Sequence, residues 1–94
     1  MQYTAEQIKT LLKDYPVLKG KVESGLASES LCQAVNQLEK CVSVLYEIDF
    51  QIITLIYFEG NSYSVVGKKV GFSKPGIQKR VKNIIKQLAK MLNP

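Results

Sequence analysis

Between Gly60 and Pro94 the chain carries eight bases, Lys68, Lys69, Lys74, Lys79, Arg80, Lys82, Lys86 and Lys90, and no acid. The residues before Gly60 hold five bases and eight acids, so the net charge of +5 is segregated along the 94 residues. A half-chain of one sign is suited to a polyanion. Lys74, Gln78, Lys79 and Lys82 are the candidates for reaching base edges in a major groove, because Gln pairs bidentately with adenine and Lys donates to guanine. Asn83 and Lys86 fall on the same helical face. Lys68, Lys69, Arg80 and Lys86 read as phosphate contacts, which position a protein without reading sequence. Arg80 has an alternative use, bonding an acid such as Glu59. Ser62 and Ser73 can offer hydroxyls or helix N-terminal amides to phosphate, although capping accounts for both. Tyr63 either touches the same backbone or lines the core. Lys79, Lys82 and Lys86 stand three and four apart and repel one another, a mild cost that a bound polyanion would relieve.

Other chemistries find little to use. The chain has no His, which argues against a zinc site, and it has no Gly-rich phosphate loop. Glu39, Glu47 and Asp49 suit capping and helix-surface roles better than acid–base work, so neither an enzyme nor a cofactor is expected. Cys32 and Cys41 lie nine apart in one expected helix, roughly 13 Å along its axis, too far to bridge each other. Free thiols of this kind fit a reducing cytosol. The apolar run Ile52 to Phe58 is too short to span a bilayer, and no basic-then-apolar export signal opens the chain. A cytoplasmic chain without a membrane partner is the expectation.

The elements that must aim these residues are a short helix, a turn and a long helix. Gly71-Phe72-Ser73 separates two apolar patterns of different phase, and Gly71 supplies the positive φ of a sharp break. Ser73 is placed to cap the second helix, with Pro75 in its first turn, where the missing N–H costs nothing. Ile77, Val81, Ile84, Ile85, Leu88 and Leu92 then make one apolar face, opposite the basic one. Upstream, Asn61-Ser62 opens a helix whose apolar side is Tyr63, Val66, Gly67 and Val70. Gly67 weakens that helix, which points to a close approach of two helices there.

Tyr57-Phe58-Glu59-Gly60, Ser62-Tyr63, Val66-Gly67, Val70-Gly71-Phe72-Ser73 and Ile77 resemble the promoter-reading fourth region of bacterial sigma factors. The likeness covers roughly the last half of the chain. Gly67 stands where that family usually has Ala, Val65 where it has an acid, and Pro75-Gly76 begin the second helix. Nothing before residue 30 resembles other sigma regions, so a stand-alone protein is implied, similar to phage and prophage transcription regulators of the ArpU/RinA type. The resemblance implies a helix-turn-helix with residues 74–92 as recognition helix, double-stranded DNA as partner, and RNA polymerase as a second partner. Two other readings are a small terminase subunit, which assembles rings for DNA packaging, and an interaction module without DNA affinity, to which Pro75-Gly76 would be suited.

The rest of the chain reads as helix too, giving an all-α expectation. Thr4 and Gln7 have capping-box spacing, and Ile8, Leu11, Leu12 and Tyr15 share one side of a first helix that Pro16 stops or kinks. Residues 17–24 are ambiguous: Val17, Leu18 and Val22 can continue a bent helix toward Gly25, which would terminate it. Residues 24–28 form the one linker-like stretch, dividing an N-terminal helix and linker (1–27) from a helix-turn-helix domain (28–94). Ser28 caps a helix whose Leu31, Val35, Leu38, Val42 and Leu45 form a heptad-like strip, to be buried inside the chain or across a homodimer through residues 31–45. Asp49 is the candidate N-cap of a helix to Phe58, apolar almost all round and so expected to be central to the core.

Overall fold

Four helices begin at a Ser or Thr whose hydroxyl accepts from the backbone amide three residues on: Thr4 from Gln7, Ser28 from Leu31, Ser62 from Val65 and Ser73 from Gly76. Each cap satisfies an amide that the first helical turn leaves without a partner. In the computed structural model, which describes residues 3–93, the elements are α1 (Ala5–Glu23), α2 (Glu29–Ser43), α3 (Glu47–Ile53), α4 (Tyr63–Val70) and α5 (Lys74–Leu92). A π turn, Thr54–Phe58, continues α3 before Gly60 ends the rod at φ 73°. The fold is all-α, with no strand among the described residues.

The core lies along α5, which packs against α1, α2, α3 and α4. Ile77, Val81, Ile84, Ile85 and Leu88 are buried on it, and Leu92 is half-buried. Onto that face fall Ile8 and Leu12 of α1, Leu38 and Val42 of α2, Ile52 and Ile53 of α3, and Val66 of α4. The described part of residues 1–27 therefore shares one core with residues 28–93. The strip on α2 is covered inside the chain, by α1 and α5. Of the two burials open to that strip, inside the chain or across a homodimer, the first is the one seen.

One open alternative is resolved and three local expectations, at Glu39, Asp49 and the α3 rod, are corrected. Of the two alternatives at Pro16 the helix takes the continuing one, with α1 running on to Glu23 before Gly25, its expected terminator, turns the chain at φ 73°. Pro16 forfeits one bond, to the Leu12 carbonyl, but its ring faces solvent, and the residues around it are tied to α2. Tyr15 donates to Glu39 Oε2 at 2.7 Å, and Lys19 Nζ lies 3.1 and 3.0 Å from the two Glu39 oxygens. Glu39 is thus a bridge between α1 and α2, not a surface acid. Asp49 does not cap α3, which starts at Glu47 after Tyr46 without a side-chain cap; Asp49 is buried inside the first turn. The α3 rod is also less central than its composition suggests. Ile52 and Ile53 are fully buried, but Phe50 is exposed and residues 54–58 are half-buried.

One side-chain amide joins the two ends of the described chain. Asn93 Oδ1 accepts from the Tyr3 amide at 2.6 Å, and Asn93 Nδ2 donates to the Tyr3 carbonyl at 2.7 Å.

The Tyr15–Glu39–Lys19 network sets a pH window. Bonding by Tyr15 and Lys19 holds the Glu39 carboxyl below its ordinary value against an opposing effect of burial, while burial and then the bond to Glu39 push Tyr15 up to about 12. The Glu39 contribution is present above the ordinary carboxylate pKa and lost as pH falls through the lowered one; the Tyr15 contribution is full below its usual value and lost as pH rises toward about 12. Urea melts across pH should show both shoulders. Glu39→Gln should flatten the acid one, and Tyr15→Phe should flatten part of the alkaline one.

Candidate nucleic-acid interface

The turn between α4 and α5 is fixed by backbone bonds from one carbonyl. The amides of Gly71 and Phe72 both donate to Gly67 O at 2.8 Å, closing α4 with Gly71 at φ 83°, a conformation that favours glycine. Gly67 is needed for this closure. A Cβ there would stand 2.4 Å from the Phe72 carbonyl oxygen and 3.6 Å from Ile77. The close approach expected at Gly67 is therefore chiefly with the turn, and only secondarily with the second helix.

From that turn α5 runs 19 residues with its two sides unlike. At about 100° per residue, Lys79, Lys82 and Lys86 fall within an arc of roughly 60°, almost opposite the buried isoleucines. Lys74, Gln78, Lys79, Lys82, Asn83 and Lys86 are all exposed, as are Lys68 and Lys69 on α4. None of these lysines pairs with a carboxylate among the described residues, where the ion pairs are Lys9–Glu6, Lys19–Glu39 and Arg80–Asp49. Ser62 and Ser73 are exposed caps whose oxygens already accept from amides. Tyr63 is half-buried and packs against the core, the lining role that was its alternative to a backbone contact.

Arg80 takes up the alternative use read for it, an acid partner. Its Nε donates to Asp49 Oδ1 at 2.8 Å, and its guanidinium carbon stands 5.7 Å from the centre of the Phe72 ring. The partner acid is Asp49 and not Glu59. Asp49 is the one charged residue buried among the described residues, with 7% of its surface exposed, so it requires such a partner. The tie joins α3, the turn and α5 through a single side chain. A planar, permanently charged fork that can bond a carboxylate and lie over a ring is what Arg has and Lys lacks. Arg80 is the chain's only arginine among thirteen bases. That singularity, together with an acid set in the apolar run of α3, was the available signal for the pair. Beyond the tie, Phe72, Gly76, Lys79, Arg80 and Asn83 border a hollow of about 260 Å³ beside the lysine face.

Two substitutions test the positioning. Gly67→Ala should destabilise by about 1–2 kcal/mol despite the better helix propensity of Ala, since displacing the turn outweighs a gain of about 1 kcal/mol. Denaturant melts give the sign. Asp49→Ala should cost about 1–2 kcal/mol, less than a fully buried pair because the Arg80 side chain keeps 40% of its surface exposed. Asp49→Asn, which retains an acceptor, should cost less.

Compared with protein-family models, with curated proteins and with solved structures, the chain finds no match.

Proposed function

We propose that the chain is a sequence-specific DNA-binding transcription regulator whose α4–turn–α5 unit acts as a helix-turn-helix, with α5 entering a major groove. The observation that carries the reading is the lysine face of α5, exposed, free of paired acids and turned away from a core that holds the helix rigidly. On this reading Lys74, Gln78, Lys79 and Lys82 meet base edges, with Asn83 beside them. Lys68, Lys69 and Lys86 meet phosphates, as do the capped starts of α4 and α5 at Ser62 and Ser73. Arg80 serves as the brace that sets the pitch of α5. The more acidic N-terminal half is left for protein contacts, RNA polymerase being the partner that the sigma-like pattern implies. Such a regulator works in the bacterial cytosol; among the described residues no helix is long and apolar enough to cross a membrane.

Selection of bound sequences from random double-stranded DNA tests the reading. The wild type should enrich a site. Its affinity should fall steeply with salt, and Lys86→Ala should reduce the slope of log K against log salt by about 1 through loss of one phosphate contact. Lys79→Ala and Lys82→Glu should change the enriched sequence or abolish enrichment. A wild type that enriches nothing and is not retained on DNA at low salt removes the groove assignment.

A further inference from the structure

The hollow of about 260 Å³ beside the lysine face joins an apolar lining to polar side chains that have nothing to bond. Gly76, Lys79, Arg80 and Asn83 line it at steps of three and four along α5, and Phe72 reaches them from the turn. Phe72 keeps 39% of its surface exposed although its ring also carries the Arg80 guanidinium. Gly76 has no side chain to cover that ring; a Cβ there would stand 3.8 Å from Phe72 Cβ and 3.2 Å from Ser73 Oγ. The donors nearest the start of α5 are already spent. Pro75 has no N–H, the Gly76 amide is given to Ser73 Oγ at 3.2 Å, the Ile77 amide to the Ser73 carbonyl at 3.0 Å, and Arg80 Nε to Asp49. A phosphate oxygen therefore finds few donors there. Lys79 and Asn83 are exposed, and neither side chain has a hydrogen-bond partner among the described residues.

We propose that this hollow receives the edge of a thymine in the major groove, with the C5-methyl group against Phe72 and Gly76. The assignment rests on α5 being a groove-reading helix and names the base that one part of that helix selects. Thymine is the base whose major-groove edge carries a methyl group, and Phe is among the side chains that meet it. The polar neighbours fit the same edge: Lys79 donates to thymine O4, and Asn83 pairs with N6 and N7 of an adjacent adenine. The volume lies below the roughly 300–1,000 Å³ of sites that enclose a small molecule, which suits one edge of a base still stacked in its duplex. The lysines around the hollow, none paired with a carboxylate among the described residues, match the phosphates that flank any base read there.

The site enriched from random double-stranded DNA serves as the probe, with each of its thymines replaced in turn by uracil, which deletes one methyl group and leaves the base pairing unchanged. One invariant thymine should respond, its replacement weakening binding about fourfold, the worth of one buried methyl. This measurement on the wild type needs no altered protein. Gly76→Ala narrows the hollow and Phe72→Ala removes its ring, so each should bind the thymine and uracil forms of that site equally. An enriched site without an invariant thymine, or one in which every thymine accepts uracil without loss, overturns the assignment and leaves the groove reading standing. A methyl preference unchanged in both variants puts the methyl group against another part of the protein and overturns it too. A wild type that enriches nothing removes the groove reading itself, and the role of the hollow with it.

Discussion

Helix α5 must satisfy two opposite demands on one cylinder, and the remainder of the molecule is arranged to let it. Its isoleucines, valine and leucine are the surface on which four other helices pack, while its lysines need water or an anion. These demands fix the rotation of the helix about its own axis. A slip of one residue turns it by about 100°, which would drive lysines toward the core and isoleucines into solvent. The lysine face is therefore oriented by the same hydrophobic burial that holds the fold, with no separate device needed to turn it outward.

Burial fixes rotation, but it leaves tilt less constrained, and that is where polar and close backbone contacts enter. The carbonyl of Gly67 closes the turn, the missing side chain of Gly67 admits the Phe72 carbonyl, and Arg80 ties α5 to α3 across Phe72. One positive charge is thereby drawn away from the open face into the frame. The exchange is favourable because Asp49, buried in the first turn of α3, needs an ionic hydrogen bond that a flexible lysine would supply with poorer geometry.

Local chemistry was legible in the residues themselves. The caps at Thr4, Ser28, Ser62 and Ser73, the left-handed Gly71, Pro75 in a first helical turn and the apolar stripe of α5 each depend on neighbours within four positions. What escaped depends on partners far away in the chain. Asp49 looked like a cap because its partner stands 31 positions later, and the choice between a stop and a continued helix at Pro16 stayed open because the bonds securing that helix come from Glu39, 20 and 24 positions on from Lys19 and Tyr15. The π turn left no mark in a run of apolar residues that reads as ordinary helix. Within the interface, the lysines were identifiable by type and phase, whereas the structural employment of Arg80 required knowing which acid was buried beside it.

The amide of Asn93 that grips the backbone of Tyr3 brings residues 3 and 93 side by side at one edge of the bundle. Anything appended beyond either end would therefore leave the body from the same neighbourhood. A short peptide joining the two would close the chain into a ring with little strain, freeing the exposed bend at Gly25 to become a new pair of ends. The order in which the helices are strung would then change while the packed arrangement around α5 stayed as it is.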